Sequence, residues 1–460
     1  MANASPAKAG RLTEGSVSKH LLRLAIPSIV GLLAVIGFEV ADTWFVAQLG
    51  TTELAALSFT IPVVSLFLFI SIGLGVGTSS VVSRTVGSGD HKQVQRLATD
   101  AMLLGALILG GLGLIGYLTI DWLFPLLGAG PEHMPHIRDY MTIWYFGAPL
   151  LGMMLTGNNA IRGTGDSLSP SIVMVVAGLV NVVLDPLLIF GLYGFPRLEL
   201  QGAAIATITA RALGYGVTYY ILHHREKLIR YTFPTRKRLS RSWGQLLHIA
   251  GPAALGFAFA PVAMAILTRM ISVHGEAAVA GFGVATRMEG LIVVVIIALS
   301  SSTVPLVGQN WGAGRMDRVA EVLRLAFIGA VGWGLLMAGV MQFIAEPVAA
   351  AFDDNPATVA QAGLYLTIVP LGYGFLGLLM ISAQAANAMA RPGASLAMRV
   401  GREFALLIPA AWIGSSLAGL HGMFMGMAIA FGLSGLAAAT WVYLQGWVST
   451  SHKPGIAPAE

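Results

Sequence analysis

His20-Leu-Leu-Arg-Leu-Ala-Ile-Pro27 recurs in the second half of the chain as Gln245-Leu-Leu-His-Ile-Ala-Gly-Pro252, and each copy opens a long apolar run. The same spacing persists along the chain. Gly50 meets Gly275, Val94 meets Val319, Tyr140-Met-Thr-Ile meets Tyr365-Leu-Thr-Ile, and Leu151-Gly152 meets Leu376-Gly377. One such match between apolar stretches is expected by chance. A register held from His20 to Gly152 marks a duplicated architectural unit.

What is duplicated is a membrane bundle. Of the 460 residues, 56% are hydrophobic and 11% charged, and mean hydropathy is +0.75. A soluble protein carries about a quarter charged residues, so no single water-soluble core could use this much apolar surface. The net charge of +5 and pI near 9.5 reflect basic loops between apolar runs and do not imply nucleic acid. The absence of cysteine excludes disulfides, thiolate metal sites and cysteine nucleophiles. The first apolar run, from Leu21, is too long for a signal-peptide core, and no small-residue cleavage pattern follows it.

A spanning helix needs about 20 mostly apolar residues. Twelve segments qualify: 21–47, 54–83, 97–120, 139–161, 169–194, 201–222, 246–272, 277–306, 320–345, 360–389, 396–417 and 420–447. With the N-terminus inside, 22 of the 27 Lys and Arg fall on the cytoplasmic side. Arg138, Arg197 and Arg269 fall outside, and Arg211 and Arg287 fall within helices. That bias follows the positive-inside rule and puts both termini in the cytoplasm. The expected fold is all-α and integral to the membrane. Its organisation is a tail (1–20), a six-helix lobe (21–222), a basic linker (223–245), a second six-helix lobe (246–448) and a tail (449–460). Six is even, so both lobes start on the same face, as parallel repeats do about a pseudo-two-fold axis along the membrane normal. The linker, HHREKLIRYTFPTRKRLSRS over 223–242, reads as a solvated connector touching anionic headgroups.

Ionisable residues within the spans carry the functional expectation, because burying them in lipid is costly. They are Glu39, Asp42, Asp185, Arg211, Arg287 and Glu289, with Asp100 and Glu403 near helix ends. Asp42 and Asp185 belong to segments running in the same direction and fall at similar depth. Asn181 is four residues before Asp185, on the same helix face. Pro186 withdraws a backbone donor and frees a carbonyl near residue 182. Two carboxylates, an amide and spare carbonyls make a hard oxygen site for a proton or Na⁺. Glu39 is able to face either side of its helix. Arg287 and Glu289 suggest a structural pairing, and Arg211 either neutralises a carboxylate of its half or braces its helix. Pro27, with Gly31 and Gly37, makes the first helix the element expected to bend.

These residues resemble the MATE (multidrug and toxic compound extrusion) family. The resemblance rests on Asp42 in its helix, on Asn181-x-x-x-Asp185-Pro-x-x-Ile-Phe-Gly191, and on Gly202-Ala-Ala-Ile-Ala-Thr207. It rests also on Asn159-Ala-Ile-Arg-Gly-Thr-Gly-Asp166 and Val307-Gly-Gln-Asn-Trp-Gly-Ala-Gly-Arg315, and it covers His20 to Val448. The seventh and tenth spans lack the acids of NorM-type members, so the chain is similar to the DinF-like branch. The resemblance implies cation coupling (H⁺ or Na⁺, with no other cofactor or metal) at Asp42, Asn181, Asp185 and Thr207. It implies a substrate chamber lined by Phe38, Met154, Asn158 and Met174. Phe38 stands where some relatives have tyrosine, which removes a hydroxyl. The expectation is a monomeric, non-enzymatic multidrug antiporter of a bacterial inner membrane. Its partners would be amphipathic cationic compounds and lipids, with no nucleic acid. The alternative is a lipid or lipid-linked oligosaccharide flippase of the same superfamily, which would be expected to carry a cationic cavity. The charged loop of the major facilitator architecture is absent from 84–96. No metalloprotease, serine-dyad or Walker motif supports catalysis.

Overall fold

The computed structural model describes residues 12–231 and 235–448, with no strand among the described residues. The expected tails at 1–11 and 449–460, and linker positions 232–234, lie outside the described residues. The helices are α1 (Val17–Ala47), α2 (Thr51–Gly87), α3 (His91–Leu126), α4 (Met134–Gly163), α5 (Leu168–Phe190), α6 (Glu199–Tyr220), α7 (Arg236–Ser272), α8 (Glu276–Gly312), α9 (Met316–Ala350), α10 (Pro356–Ile368), α11 (Tyr373–Ala388), α12 (Pro392–Val400) and α13 (Ile408–Leu444).

Nine helical runs among the described residues are long and apolar enough to cross a membrane, with α10 and α11 acting as one run and α12 and α13 as another. α4 and α6, of 30 and 22 residues, have the length and are more polar. The run from Pro392 to Leu444 turns back on itself at Ala418–Gly419, where Gly419 takes φ +57°. A Cβ on Gly414 would strike the Gly422 carbonyl, and one on Gly426 would strike that of Ala410. The pairs 414/422 and 410/426 share one midpoint, which defines an antiparallel hairpin of two spans. The described residues therefore hold twelve spans.

Local irregularities have local causes. Val369–Gly372 tightens to a 3₁₀ turn around Pro370. Gly401–Leu407 widens to a π-helix just before Pro409, which has no N–H to offer the carbonyl four residues back.

The chain forms two compact units. One comprises Ile26–Thr85 and Asp90–Leu255; the other comprises the described residues up to Ala25, Val86–Gly89 and Gly256 onward. Both α1 and α7, the first helices of the two repeats, are divided between units near their prolines, Pro27 and Pro252. Inside each unit small residues let helices approach. A Cβ on Gly105 would lie 2.8 Å from the Gly152 carbonyl oxygen, and one on Gly377 would lie 2.6 Å from Ala330 Cβ. At the repeat spacing Gly105 matches Ala330 and Gly152 matches Gly377, so these are one contact made twice.

Both loop motifs have structural work. Asp166 accepts the Ser169 N–H (3.1 Å) and pairs with Arg225 (2.7 Å), tying the start of α5 to the linker. Gln309 accepts the Leu12 N–H (3.2 Å), and Asn310 donates to the Leu12 carbonyl (3.2 Å). Arg318 donates to the carbonyls of Gly15 (2.8 Å) and Leu12 (3.1 Å) and to Asn310 Oδ1 (2.9 Å).

Candidate functional site

Side by side in one unit, α1 and α5 run parallel. A Cβ on Gly31 would lie 3.2 Å from the Ser171 side chain, and one on Gly178 would overlap the Phe38 ring. Gly31 precedes Ser171 by the same interval as Phe38 precedes Gly178, so the helices hold register for two turns. Carried on another turn, that register sets Asp42 level with Val182, so Asp185 lies about one helical turn further along α5. Asp185 is fully buried and Asp42 half-buried, and the two carboxyl groups are within hydrogen-bond reach of each other.

Asn181 Nδ2 donates to Asp185 Oδ1 at 3.3 Å, as one helical turn between them requires. Asp42 Oδ1 and Asp185 Oδ2 are buried with no hydrogen-bond partner among the described residues. Two carboxylates have no hydrogen to offer each other, so such acceptors call for a shared proton or a bound cation. Tyr140 and Arg211 share the same electrostatic neighbourhood. Arg211 lies over the Trp144 ring at 4.9 Å with Nη1 unpartnered. It braces α6 on α4 and is within electrostatic reach of Asp42. Thr207 lies one turn before Arg211 on α6 and is half-buried. Glu39 is exposed.

The expected chamber residues divide. Phe38 packs on Gly178. Met154 and Asn158 are both buried on α4; Met154 abuts Gly214, and Asn158 accepts from Thr218 Oγ1 at 2.9 Å with its Nδ2 left unpartnered. Arg162 reaches Met174, with Nη2 3.5 Å from the sulfur. In the other unit Arg287 is exposed and does not pair with Glu289. The partner of Glu289 is Tyr365, whose Oη donates at 2.5 Å. The sequence reading missed Tyr140 and Tyr365 as site residues, although their matched Tyr-x-Thr-Ile stretches supplied a signal: each stands by a carboxylate of its own half.

Twelve spans in two units, with an acid pair and an arginine inside one of them, make a multi-pass membrane protein, and the comparisons with known proteins give its class as a transporter, not an enzyme. The MatE family matches twice, over residues 27–187 and 252–413, and the two matches start at the equivalent prolines of the repeat, Pro27 and Pro252. The chain belongs to the MATE family. It is 38% identical to the FAD transporter of Shewanella oneidensis, over 93% of this chain and 94% of that one. It is 25% identical to the probable multidrug resistance protein NorM of Thermotoga maritima (79% and 78% covered). Against the multidrug export protein MepA of Staphylococcus haemolyticus it is 24% identical (94% of each). The crystal structure of the Vibrio cholerae MATE transporter VcmN in the bent form superposes with a TM-score of 0.89 at 30% identity, covering 94% of this chain and 97% of that one.

Proposed function

We propose that the chain is a secondary active exporter that exchanges an organic substrate for a cation bound between Asp42 and Asp185, with Asn181 and Thr207 beside them. The observation that carries this reading is the pair of buried, unpartnered carboxylate oxygens on α1 and α5. A proton or Na⁺ satisfies them on entry and leaves them costly on release. Occupancy of the pair therefore biases the packing of α1 on α5, and bending at Pro27 couples that bias to alternating access. The protein works as a monomer in the inner membrane, termini in the cytoplasm, with no cofactor besides the coupling ion.

For substrate, the acidic, Met- and Phe-bearing unit and the multidrug-exporting relatives support amphipathic organic cations. A second reading, flavin dinucleotide, is favoured by the 38% identical FAD transporter. Proteoliposomes under separately imposed pH and Na⁺ gradients, loaded in parallel with ethidium and FAD, test coupling and substrate together. Transport indifferent to both gradients would defeat the antiport reading. Transport of lipid-linked sugars alone would make the protein a flippase.

A further inference from the structure

The unit containing Gly256 onward holds a charged cluster for which the coupling site has no use. Arg399, on α12, is 8% exposed, and its Nε has no hydrogen-bond partner among the described residues. Its guanidinium lies 4.4 Å from the Phe257 ring centroid. Its stem fills space left by a missing side chain, since a Cβ on Gly256 would come 2.8 Å from Arg399 Cδ. The nearby carboxylates have other partners. Arg402 pairs with its neighbour Glu403 on the π-helical turn, and Glu289 accepts from Tyr365. Glu403 and Arg402 are within electrostatic reach of Arg399 without hydrogen-bonding to it. Phe259 of α7 meets Phe404 of the π-helix, centroids 5.6 Å apart.

A guanidinium withdrawn from water without an anion is costly. Arginine stacks on aromatic faces and chelates phosphate oxygens with its fork of donors. We infer that Arg399, backed by Phe257 and seated by Gly256, is an anion subsite that takes a phosphate of an aromatic, phosphate-bearing substrate. This rests on the flavin dinucleotide reading and adds the group that distinguishes that substrate from a cationic dye. The π-helical turn supports it, because such turns occur frequently at functional sites.

The test is binding of riboflavin, FMN and FAD to purified wild type and to Arg399→Gln and Arg399→Lys, followed by flavin fluorescence, with ethidium transport as control. The wild type should prefer FAD over riboflavin. Arg399→Gln should weaken FAD by about 10- to 100-fold, the range for a charge-assisted hydrogen bond, while riboflavin binding and ethidium transport hold. Arg399→Lys, which keeps the charge without the fork, should fall between. Equal riboflavin and FAD affinity in the wild type overturns the subsite without recourse to any variant. Equal losses for FAD, riboflavin and ethidium would reduce Arg399 to a brace. An Arg399→Gln variant that binds FAD normally and loses only its response to added phosphatidylglycerol would assign the anion to a lipid headgroup, also overturning it. A wild type that exports ethidium and binds no flavin fails the substrate reading itself, whereas normal FAD export by Arg399→Gln fails only the subsite.

Discussion

At Asp42 and Asp185 the proposed coupling and the stability of the fold should pull apart. An aspartate-to-asparagine change keeps the shape, removes the charge, and supplies an amide donor to the facing acceptor. The fold should survive while cation exchange stops. Asp42→Asn and Asp185→Asn are each expected to bring gradient-driven efflux down to the passive leak, with expression and melting temperature near wild type, measured in proteoliposomes and by thermal unfolding in detergent. Tyr140→Phe and Glu289→Gln should retain most transport, since neither residue supplies the shared acceptors. A well-folded Asp42→Asn, Asp185→Asn double variant with near-normal ion-driven transport would sink the coupling assignment. The two acids were legible in the sequence because an ionisable group among apolar neighbours is conspicuous. Arg399 and Arg402 were not: they follow closely on Pro392 and so resemble loop charges beside a helix start. Arg211 was visible, but its stacking on Trp144 depends on a contact between α6 and α4 that no local pattern encodes.

Helix pairs show why positions that look featureless matter. Gly178 is one apolar-run glycine among many, yet the Phe38 ring lies where its Cβ would be. Gly178→Ala should overpack the α1–α5 contact and cost about 1–3 kcal/mol, seen as a lower melting temperature. Adding Phe38→Leu should restore much of it, because the two positions share one volume and their effects cannot be additive. If the single variant melts like wild type, α1 does not lie on α5 as described. A second expectation concerns the segment leading into α1. Arg318 holds the carbonyls of Leu12 and Gly15 from a nearly buried position. Arg318→Ala should cost about 1.5–3 kcal/mol, the range for hydrogen bonds to charged groups, and raise hydrogen exchange over residues 12–20. Unchanged exchange there would mean that the clamp does not hold the segment. Helix existence was readable from apolar length; the hairpin within Pro392–Leu444 was readable as two spans, but its π-helical start was not, since it reflects where Pro409 falls in the hydrogen-bond ladder.

Across the whole chain, one duplication is put to two uses. The family match, the Gly105–Gly152 and Ala330–Gly377 contacts, and the division of α1 and α7 between units all recur at or near the interval that separates Pro27 from Pro252. The chemistry does not: Asp42 and Asp185 have Leu267 and Ala410 at the repeat spacing. A parallel repeat of six spans requires that equivalent loops open on the same side, which makes topology testable at single residues. Tyr193, between α5 and α6, is 93% exposed, and the charge bias predicts that this connection lies outside. Lys237, at the start of α7, belongs to the basic linker and should face the cytoplasm. The chain has no cysteine, so Tyr193→Cys and Lys237→Cys can be read without background. An impermeant maleimide should label Tyr193→Cys in intact cells and Lys237→Cys only after the membrane is opened. The reverse pattern would invert the protein and place the carboxylate pair near the opposite face. Labelling of both in intact cells would mean that α6, the one span between them, does not cross the membrane, which a six-plus-six duplication cannot accommodate.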